Sequence, residues 1–241
     1  VNPNKKYPKI LRTQLETQQE LEANLQDYAI DNLQYQGAYP TARLSAYDAD
    51  WDSAYNFHVN LTAFGTYKPH DINMSTTPGV LFVMDLINDG TEDISVDLLF
   101  NFPDQGMIYD SLTNAGNNGW VINKNGNTSA IGGDVTVGNI TMSVWDCESV
   151  TQCTAISSSR ATSGSLGAMW SLFMDNTERE HGVNVVTNTT QYPLITRDIM
   201  VKAGSVKSIV YSFSYYFPYR SWANYFIGQY YANYFIDSLD V

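Results

Sequence analysis

The sequence predicts an all-β protein, an antiparallel β-sandwich with an N-terminal helix or extended arm. Three observations support this class. From residue 35 almost to the end, apolar and polar residues alternate with a period of two, which is typical of strands with one buried face. Turn residues interrupt the runs at short intervals, and no regular helical pattern separates them. The length of 241 residues suffices for one large core, so we expect a single β-domain.

Residues 1–34 are expected to form the N-terminal helix or arm. Residues 10–34 contain no Pro or Gly and are rich in Gln, Glu, Leu and Ala, which favour helix formation. The apolar stripe along this segment is imperfect. Two interpretations therefore stay open: a helix packed on the sandwich, or an arm that contacts a neighbouring molecule.

Residues 35–217 are expected to form the sandwich. An apolar run at 80–87 is followed by Asp89-Gly90 and an alternating run at 94–102, which together predict a hairpin. The first run is apolar on both faces and so predicts a central strand. Residues 116–133 are rich in Gly and Asn and predict a long loop. Further strands are predicted at 135–145, 166–173, 183–187, 195–202 and 206–217.

Composition argues against several classes of partner. The chain has 13 basic and 25 acidic residues, a formal net charge of -12, and no basic cluster beyond Lys5, Lys6 and Lys9. Nucleic acids and anionic membranes attract concentrated positive charge, so neither is an expected partner. No apolar run approaches the roughly 20 residues that a transmembrane helix needs.

Several features are typical of a secreted, extracellular protein. Cys147 and Cys153 are the only cysteines, and their short spacing suits a disulfide at a hairpin tip; two reduced thiols are the alternative. The sequence begins at Val1 rather than Met, which is consistent with a removed leader or a late start.

Five Asn-X-Ser/Thr sequons are candidate sites for covalent N-glycans. One asparagine alternates with the apolar residues Val59 and Leu61, so we expect it to face away from the core, and a second alternates with Ile140 and Met142 in the same way. The candidates are Asn60, Asn73, Asn127, Asn139 and Asn188.

The sequence contains no familiar catalytic or ligand-binding motif. The three histidines are far apart, and serine-hydrolase and phosphate-loop motifs are absent. Asp48, Asp50 and Asp52 resemble the start of a calcium loop, but Ser53 and Val59 occupy the positions that need Gly and a bidentate Glu. A solvated acidic turn is expected there, with a looser calcium site as the alternative. No catalytic residue, cofactor or metal site is predicted.

Several segments, in order, resemble the N-terminal domain of glycoside hydrolase family 116, which includes non-lysosomal glucosylceramidases and microbial β-glucosidases. Residues 37–43 are similar to its Gly-X-Tyr/Phe-Pro-X-Ala-Arg motif, and residues 78–102 follow its Asn-X-Gly-X-Glu hairpin and flanking strands. The most specific similarity is near the end. Residues 215–220 resemble Trp-X-Phe-Pro-Asn-Arg, and residues 228–240 resemble Gly-X-Tyr-Tyr-X-Asn-X-Phe-X-Asp-X-Trp-Asp.

The departures from the family pattern are informative. Tyr215 and Leu239 replace tryptophans, and Gly65-Thr66 replaces Ser-Pro. In the family, the final run leads toward an (α/α)₆ catalytic domain that carries the nucleophile and the acid/base. The sequence stops at Val241, where that domain would begin, so no catalytic residue carries over. Residues 218–241 are interpreted as a Tyr-rich segment that resembles the linker to an absent catalytic domain.

The resemblance implies a non-catalytic domain whose partner is a β-glucosidase or glucosylceramidase domain, and the cysteines and sequons add the expectation that it is a secreted glycoprotein. The first alternative is a stand-alone structural glycoprotein that assembles with copies of itself in an extracellular coat or filament. The low charged fraction of 16% and the Tyr-rich tail suggest it. The second alternative is a carbohydrate-binding module that uses exposed aromatic residues, for which the candidates are Trp51, Trp120 and Trp222.

Overall fold

The structure, a computed structural model, describes residues 6–13, 25–103, 110–114, 118–125, 137–149, 152–160, 165–176, 185–186, 191–218, 221–222, 225–226 and 228–241. The strands are β1 Asn32–Ala38, β2 Thr41–Tyr47, β3 Phe57–Gly65, β4 Gly79–Asn88, β5 Ile94–Pro103, β6 Asp110–Asn114, β7 Gly119–Asn125, β8 Val137–Ser149, β9 Gln152–Ala155, β10 Ser159–Arg160, β11 Val185–Val186, β12 Gln191–Val201, β13 Ser205–Tyr216, β14 Ser221–Trp222 and β15 Tyr225–Phe226. The helices are α1 Ala49–Tyr55, α2 Ile72–Thr76 and α3 Leu166–Asp175, with 3₁₀ turns at Leu25–Tyr28 and Tyr230–Asn233.

Two antiparallel sheets form the predicted sandwich. The large sheet has the order β1-β2-β3-β4-β13-β8-β7-β6-β11, and β9 also pairs with β8. The small sheet has the order β10-β12-β5, and β14 and β15 form a separate hairpin. The small sheet is much narrower than the large one. It therefore covers only the middle of the large sheet's inner face.

The core lies between the two sheets and is built from alternate residues of their strands. Leu86, Met142 and Tyr211 of the large sheet and Leu194 of the small sheet are fully buried. The ring of Phe100 in β5 stacks on that of Tyr211 at 4.7 Å. The predicted apolar face of 94–102 packs against this cluster. Burial of such side chains is the main stabilising contribution to a β-sandwich.

The predicted position of the strand at 80–87 is confirmed, but its hairpin with 94–102 is wrong. β4 is central and pairs with β3 and β13, whereas β5 pairs with β12 in the other sheet. The fully buried Asn88 stabilises the connection from β4 to β5, where the chain passes from the large sheet to the small sheet. Its Nδ2 donates to Glu92 O at 2.9 Å and to Val201 O and Lys202 O at 3.2 Å, and its Oδ1 accepts from Gly90 N at 3.0 Å.

Two other predicted elements are also wrong. Residues 166–173 lie in helix α3, which Ser165 caps by accepting a hydrogen bond from Ala168 N at 3.2 Å. Within the predicted loop 116–133, residues 119–125 form β7. Gly119 is needed there, because a Cβ atom would lie 2.1 Å from Met142 O. Residues 126–133 lie outside the described residues.

In the described part of the N-terminal segment, residues 6–13 are irregular and pair with residues 28–30, and Leu25–Tyr28 form a 3₁₀ turn rather than an α-helix. Ile10 N donates to Tyr28 O at 2.7 Å, and Ile30 N donates to Arg12 O at 2.9 Å. Residues 14–24, on which the helix prediction mainly rests, lie outside the described residues. No helix in the described parts of the chain is long and apolar enough to span a membrane.

Candidate interaction surface

The three sequon asparagines whose side chains are described have different surroundings. Asn73, in α2, is exposed. Asn60 is half-buried on the outer face of β3, and its Oδ1 is buried. Asn139 is half-buried near the start of β8, where its Oδ1 accepts from Ser238 N at 2.8 Å. Asn73 is therefore the most accessible of the three. Asn127 and Asn188 lie outside the described residues.

The predicted disulfide is present. Cys147 of β8 and Cys153 of β9 occupy directly opposite positions of a paired ladder, with their sulfur atoms 2.09 Å apart. This hairpin lies at the end of the large sheet that is remote from the C-terminal segment.

The acidic segment at 48–52 begins helix α1 instead of forming the predicted turn, and only Asp50 and Asp52 are solvated as predicted. Asp48 is buried and caps α1, accepting from Asp50 N at 3.0 Å through Oδ1. Lys9 Nζ lies 2.8 Å from Asp48 Oδ2 and 3.1 Å from Asp50 Oδ2. Burial of Lys9 lowers its pKa, but the hydrogen bonds and charges of the two carboxylates outweigh this and hold the pKa above its ordinary value. The Lys9 ammonium group thus lies between the carboxylates that were considered as ligands of a calcium ion. In the described part of the chain, no three His, Cys, Asp or Glu side chains are grouped so that they could hold a metal ion.

The two tryptophans nominated for sugar binding whose side chains are described, Trp51 and Trp120, do not form an exposed platform. Trp120 is 1% exposed and lies in the core, so its nomination is wrong. Trp51 is half-buried; its ring packs against Phe57 at 5.4 Å, and its Nε1 donates to Tyr7 O at 2.8 Å. The side chain of Trp222 lies outside the described residues.

The C-terminal segment, residues 228–241, is anchored to one end of the large sheet. The Tyr231 hydroxyl donates to Phe217 O at 2.8 Å and accepts from Phe217 N at 3.1 Å. Farther along, the buried Ser238 hydroxyl lies 2.6 Å from that of Thr141, and Ser214 Oγ donates to Ser238 O at 2.6 Å. These bonds fix the segment across β8 and β13.

Large apolar side chains are exposed at this same end of the sandwich. The rings of Tyr39, in the β1–β2 turn, and Tyr67, before α2, are 5.1 Å apart. Tyr230 packs on Tyr234, with hydroxyls 2.8 Å apart, and lies 3.5 Å from Asn73 of α2. We call this region the end surface; it comprises Tyr39, Tyr67, Ile72, Met74, Tyr230, Tyr234, Ile236 and Leu239, which are all exposed.

The polar groups of the end surface are mostly engaged with one another. Asp71 caps α2 by accepting from Met74 N at 3.0 Å and pairs with Lys68 at 3.0 Å. The hydrogen bond from Met74, and then that from Lys68, hold the pKa of Asp71 below its ordinary value. The hydrogen bond with Tyr230 raises the pKa of Tyr234. The Lys68–Asp71 pair is thus internally neutralised, whereas the carboxylates of Asp237 and Asp240, beside Ile236 and Leu239, accept hydrogen bonds from backbone N–H groups of their own segment.

A shallow cleft of about 550 Å³ opens beside the end surface, where the small sheet does not cover the large one. Its walls are the exposed rings of Tyr35 and Tyr39 together with Pro40 and Phe64. Its floor is made of small residues, Gly37, Ala42, Ala63 and Gly65. Such a cleft can accept an apolar or ring-shaped group, but its described lining residues include no carboxylate or histidine for acid–base chemistry.

Sequence reasoning missed the end surface. Tyr39, Tyr67, Ile72 and Met74 were not nominated, because each appears singly in a turn or a short connection. The available signal was the pair of apolar residues that flank Asn73 in an otherwise polar connection.

Comparison with known proteins identifies the family. The family profile described as "beta-glucosidase 2, glycosyl-hydrolase family 116 N-term" matches residues 1–240. A search of curated proteins found no match to the chain. Among solved structures, "Heparinase III-BT4657 gene product" is similar over 81% of this chain and 24% of its own chain, with 9% sequence identity and a TM-score of 0.37. The chain thus spans about a quarter of that protein's length. The profile match agrees with the motifs at residues 37–43, 78–102 and 215–240, and the chain belongs to the N-terminal domain family of glycosyl-hydrolase family 116.

Proposed function

We propose that this chain is a non-catalytic domain that supports the β-glucosidase-type catalytic domain of a family 116 protein, and that the end surface is where the two domains meet. The observation that carries the proposal is the position of the C-terminal segment. Residues 228–240, which resemble the family's run toward its catalytic domain, are bound to the end where the apolar side chains are exposed.

The exposure of the end surface supports a docking role. Tyr39 is 83% exposed, Ile236 is 80% exposed and Leu239 is 56% exposed. Several large apolar side chains exposed to water at one end of a domain are unfavourable and usually mark an interface. The charged pair Lys68–Asp71 is internally neutralised, and the carboxylates of Asp237 and Asp240 favour a partner with positive charge near Ile236 and Leu239.

We also propose that the protein is secreted and glycosylated. The disulfide between Cys147 and Cys153 supports an oxidising compartment.

The docking proposal restricts where glycans can be attached. Asn73 lies between Ile72 and Met74 within the end surface, so a glycan there would block the interface. Glycopeptide mapping of the native protein should therefore find Asn73 unoccupied, and full occupancy of Asn73 would contradict the docking proposal.

The first test is the mass of the native polypeptide after enzymatic deglycosylation, with sequencing of its C-terminal peptides. A mass well above the 27.0 kDa of this chain, with peptides that continue beyond Val241, is the expected result. A mass near 27.0 kDa would leave no catalytic domain to support and would refute the proposal.

A second test probes the end surface directly in the native polypeptide. Ile236→Glu should lower β-glucosidase activity and the thermal stability of the catalytic domain, because it places a charge in the interface. Met200→Glu is the matched control, since Met200 is 50% exposed in β12, away from the end surface. Equal effects of the two variants would count against docking at this surface.

Sugar binding is a second candidate function, favoured by the cleft beside the end surface. Exposed tyrosine rings stack on the apolar faces of sugars, and Tyr35 is 70% exposed at the wall of this cleft. Calorimetric titration with soluble β-linked gluco-oligosaccharides tests the idea. Binding should be lost in Tyr39→Ala and kept in Tyr47→Ala, whose ring is exposed but lies outside the cleft. No heat of binding with the unmodified chain would exclude it.

A further inference from the structure

The outer edge of the large sheet lacks the features that normally prevent edge-to-edge association. Among the strands that the structure describes, β1 is the first of the sheet and pairs only with β2. Its seven residues are exposed except for the half-buried Leu33, and they include no charged residue and no Pro. Natural edge strands are usually protected by charges, prolines or bulges. This strand therefore offers an open template for another strand.

The register shows which backbone groups of β1 point outward. Pro40 O accepts from Gly65 N at 3.3 Å, so the even-numbered residues of β2 bond toward β3. The odd-numbered residues of β2 therefore bond toward β1, where Arg43 pairs with Gln36. It follows that the N–H and C=O groups of Leu33, Tyr35 and Gly37 point away from the sheet. Within the described residues, no hydrogen bond is made to these outward groups.

The sequence of β1 is self-complementary about Tyr35. Gln34 and Gln36 flank Tyr35 symmetrically. In an antiparallel pair of two such strands with Tyr35 opposite Tyr35, each Gln34 faces the Gln36 of the other copy, and each Leu33 faces a Gly37. The outward groups of residues 33, 35 and 37 then fall in hydrogen-bonded positions, as the alternation of antiparallel bonds requires.

We propose that two copies of this chain associate through their β1 strands, antiparallel and centred on Tyr35, to join their large sheets into one continuous sheet. Two further observations favour a second copy as the occupant. The chain carries a net charge of -12, and β1 is a neutral strand through which two such molecules can approach. The Tyr35 ring lies over Gly37, where a Cβ atom would be 2.5 Å from the Tyr35 hydroxyl. The Tyr35 ring thus covers Gly37 on this face, and the Leu33 of the other copy would pack on that ring.

The contact is small, so the dimer is expected to be weak. A seven-residue strand edge buries less than the roughly 1,200 Å² that characterises stable complexes. Sedimentation equilibrium of the 241-residue chain should show a concentration-dependent dimer between about 10 μM and 1 mM, the range of weak interfaces. A chain that remains monomeric up to about 1 mM would overturn the proposal.

Two double variants test the register. Gln34→Lys with Gln36→Lys places like charges opposite each other twice, whereas Gln34→Lys with Gln36→Glu places opposite charges there twice. Both positions are exposed, so both variants should fold, as circular dichroism would show. The dimer of the Lys/Lys variant should be at least about tenfold weaker than that of the Lys/Glu variant. Added salt should reduce this difference between their dimerisation constants. Equal dimerisation of the two variants would refute this pairing.

Two single variants distinguish dimerisation through β1 from dimerisation through the end surface. Tyr35→Pro removes an outward N–H without removing a bond to β2, and it should abolish the dimer. Ile236→Glu, in the end surface, should leave the dimer unchanged. Loss of the dimer in Ile236→Glu alone would assign self-association to the end surface and would overturn the edge proposal, while leaving the family-based function untouched.

Discussion

Replacing Lys9 with Met removes the cation between Asp48 and Asp50, and we expect a large loss of stability. The Lys9 side chain is 10% exposed and that of Asp48 is fully buried, with Nζ and Oδ2 2.8 Å apart. Met has a stem of similar length, so the substitution removes the charge with little loss of packing. The buried carboxylate of Asp48 is then left without its cation.

The magnitude follows from how completely Asp48 is buried. Breaking a fully buried ion pair costs about 3–5 kcal/mol, because the remaining charge is uncompensated. Here Asp48 keeps hydrogen bonds from Asp50 N and Trp51 N, and Asp50 is itself 59% exposed. We therefore expect a loss of about 2–3 kcal/mol. For a domain of this size, that lowers Tm by roughly 5–10 °C.

Urea denaturation followed by tryptophan fluorescence measures this loss. The matched control is Lys202→Met, because Lys202 Nζ lies 2.7 Å from Asp93 Oδ2 while their side chains are 70% and 43% exposed. Solvent screens that pair, so its removal should hardly change stability. In an Asp48→Asn background, which keeps a good helix cap, Lys9→Met should cost much less. Equal losses in Lys9→Met and Lys202→Met would refute the reasoning.

The same pair predicts a loss of stability at alkaline pH. The carboxylates of Asp48 and Asp50 raise the pKa of Lys9 in the folded state above its ordinary value of 10.5, despite the opposing effect of burial. The stabilisation is therefore complete below pH 10.5 and is lost as the pH rises through the folded-state pKa. In Lys9→Met, the part of the stability loss at alkaline pH that comes from deprotonation of Lys9 should be absent.

Three further substitutions have definite expected outcomes. Tyr211→Phe should be neutral or stabilising by up to about 1 kcal/mol in urea denaturation, because the buried hydroxyl makes no hydrogen bond with a described residue, although Thr196 lies near it. Burial also raises the pKa of Tyr211, so above pH 10 ionisation of the unfolded chain favours unfolding, and Tyr211→Phe should remove that loss. Asn88→Ala should cost about 2–4 kcal/mol, measured in the same way, since it leaves several buried backbone groups without partners; a loss no larger than that at an exposed asparagine would contradict this. Tyr231→Phe should accelerate proteolysis between residues 218 and 229 with little change in global stability, because both bonds to Phe217 are lost; an unchanged cleavage rate would show that these bonds do not hold the segment.

Local pattern predicted the strands well where one face is buried. The alternation in 206–217 places Ile209 and Tyr211 inward, and both are fully buried. The same reasoning failed at Asp89-Gly90, which is locally suited to a tight hairpin. The crossing between sheets depends instead on bonds from Asn88 to Val201 and Lys202, more than a hundred residues away. No local pattern contains that information.

The error at α3 has a different cause. Residues 166–173 form a short apolar run, and such a run fits a buried strand or a buried helix equally well. Ser165 was the distinguishing signal, because it is a favourable N-cap residue immediately before the run. A helix of ten residues that is buried at Met169 and Trp170 shows little of the amphipathic period that would identify it.

The candidate surface was only partly predictable. The Tyr-rich character of residues 218–241 was visible, but the convergence of the β1–β2 turn, α2 and the C-terminal segment was not. Each contributes one or two apolar residues, which in isolation are ordinary on a protein surface. Trp120 shows the converse, since a Trp in a Gly- and Asn-rich stretch looked exposed yet lies in the core at 1% exposure.

The place of β13 in the large sheet has a consequence for biosynthesis. β13 lies between β4 and β8, yet it is made after both. A ribosome that adds about 5–20 residues per second needs roughly 6–25 s to proceed from residue 88 to residue 216. β4 has an unpaired apolar edge throughout that time, and β8 has one for roughly the last 3–13 s of it; such edges are prone to aggregation and are substrates for chaperones. Synthesis of residues 205–216 is therefore the step that commits the nascent chain to its native topology.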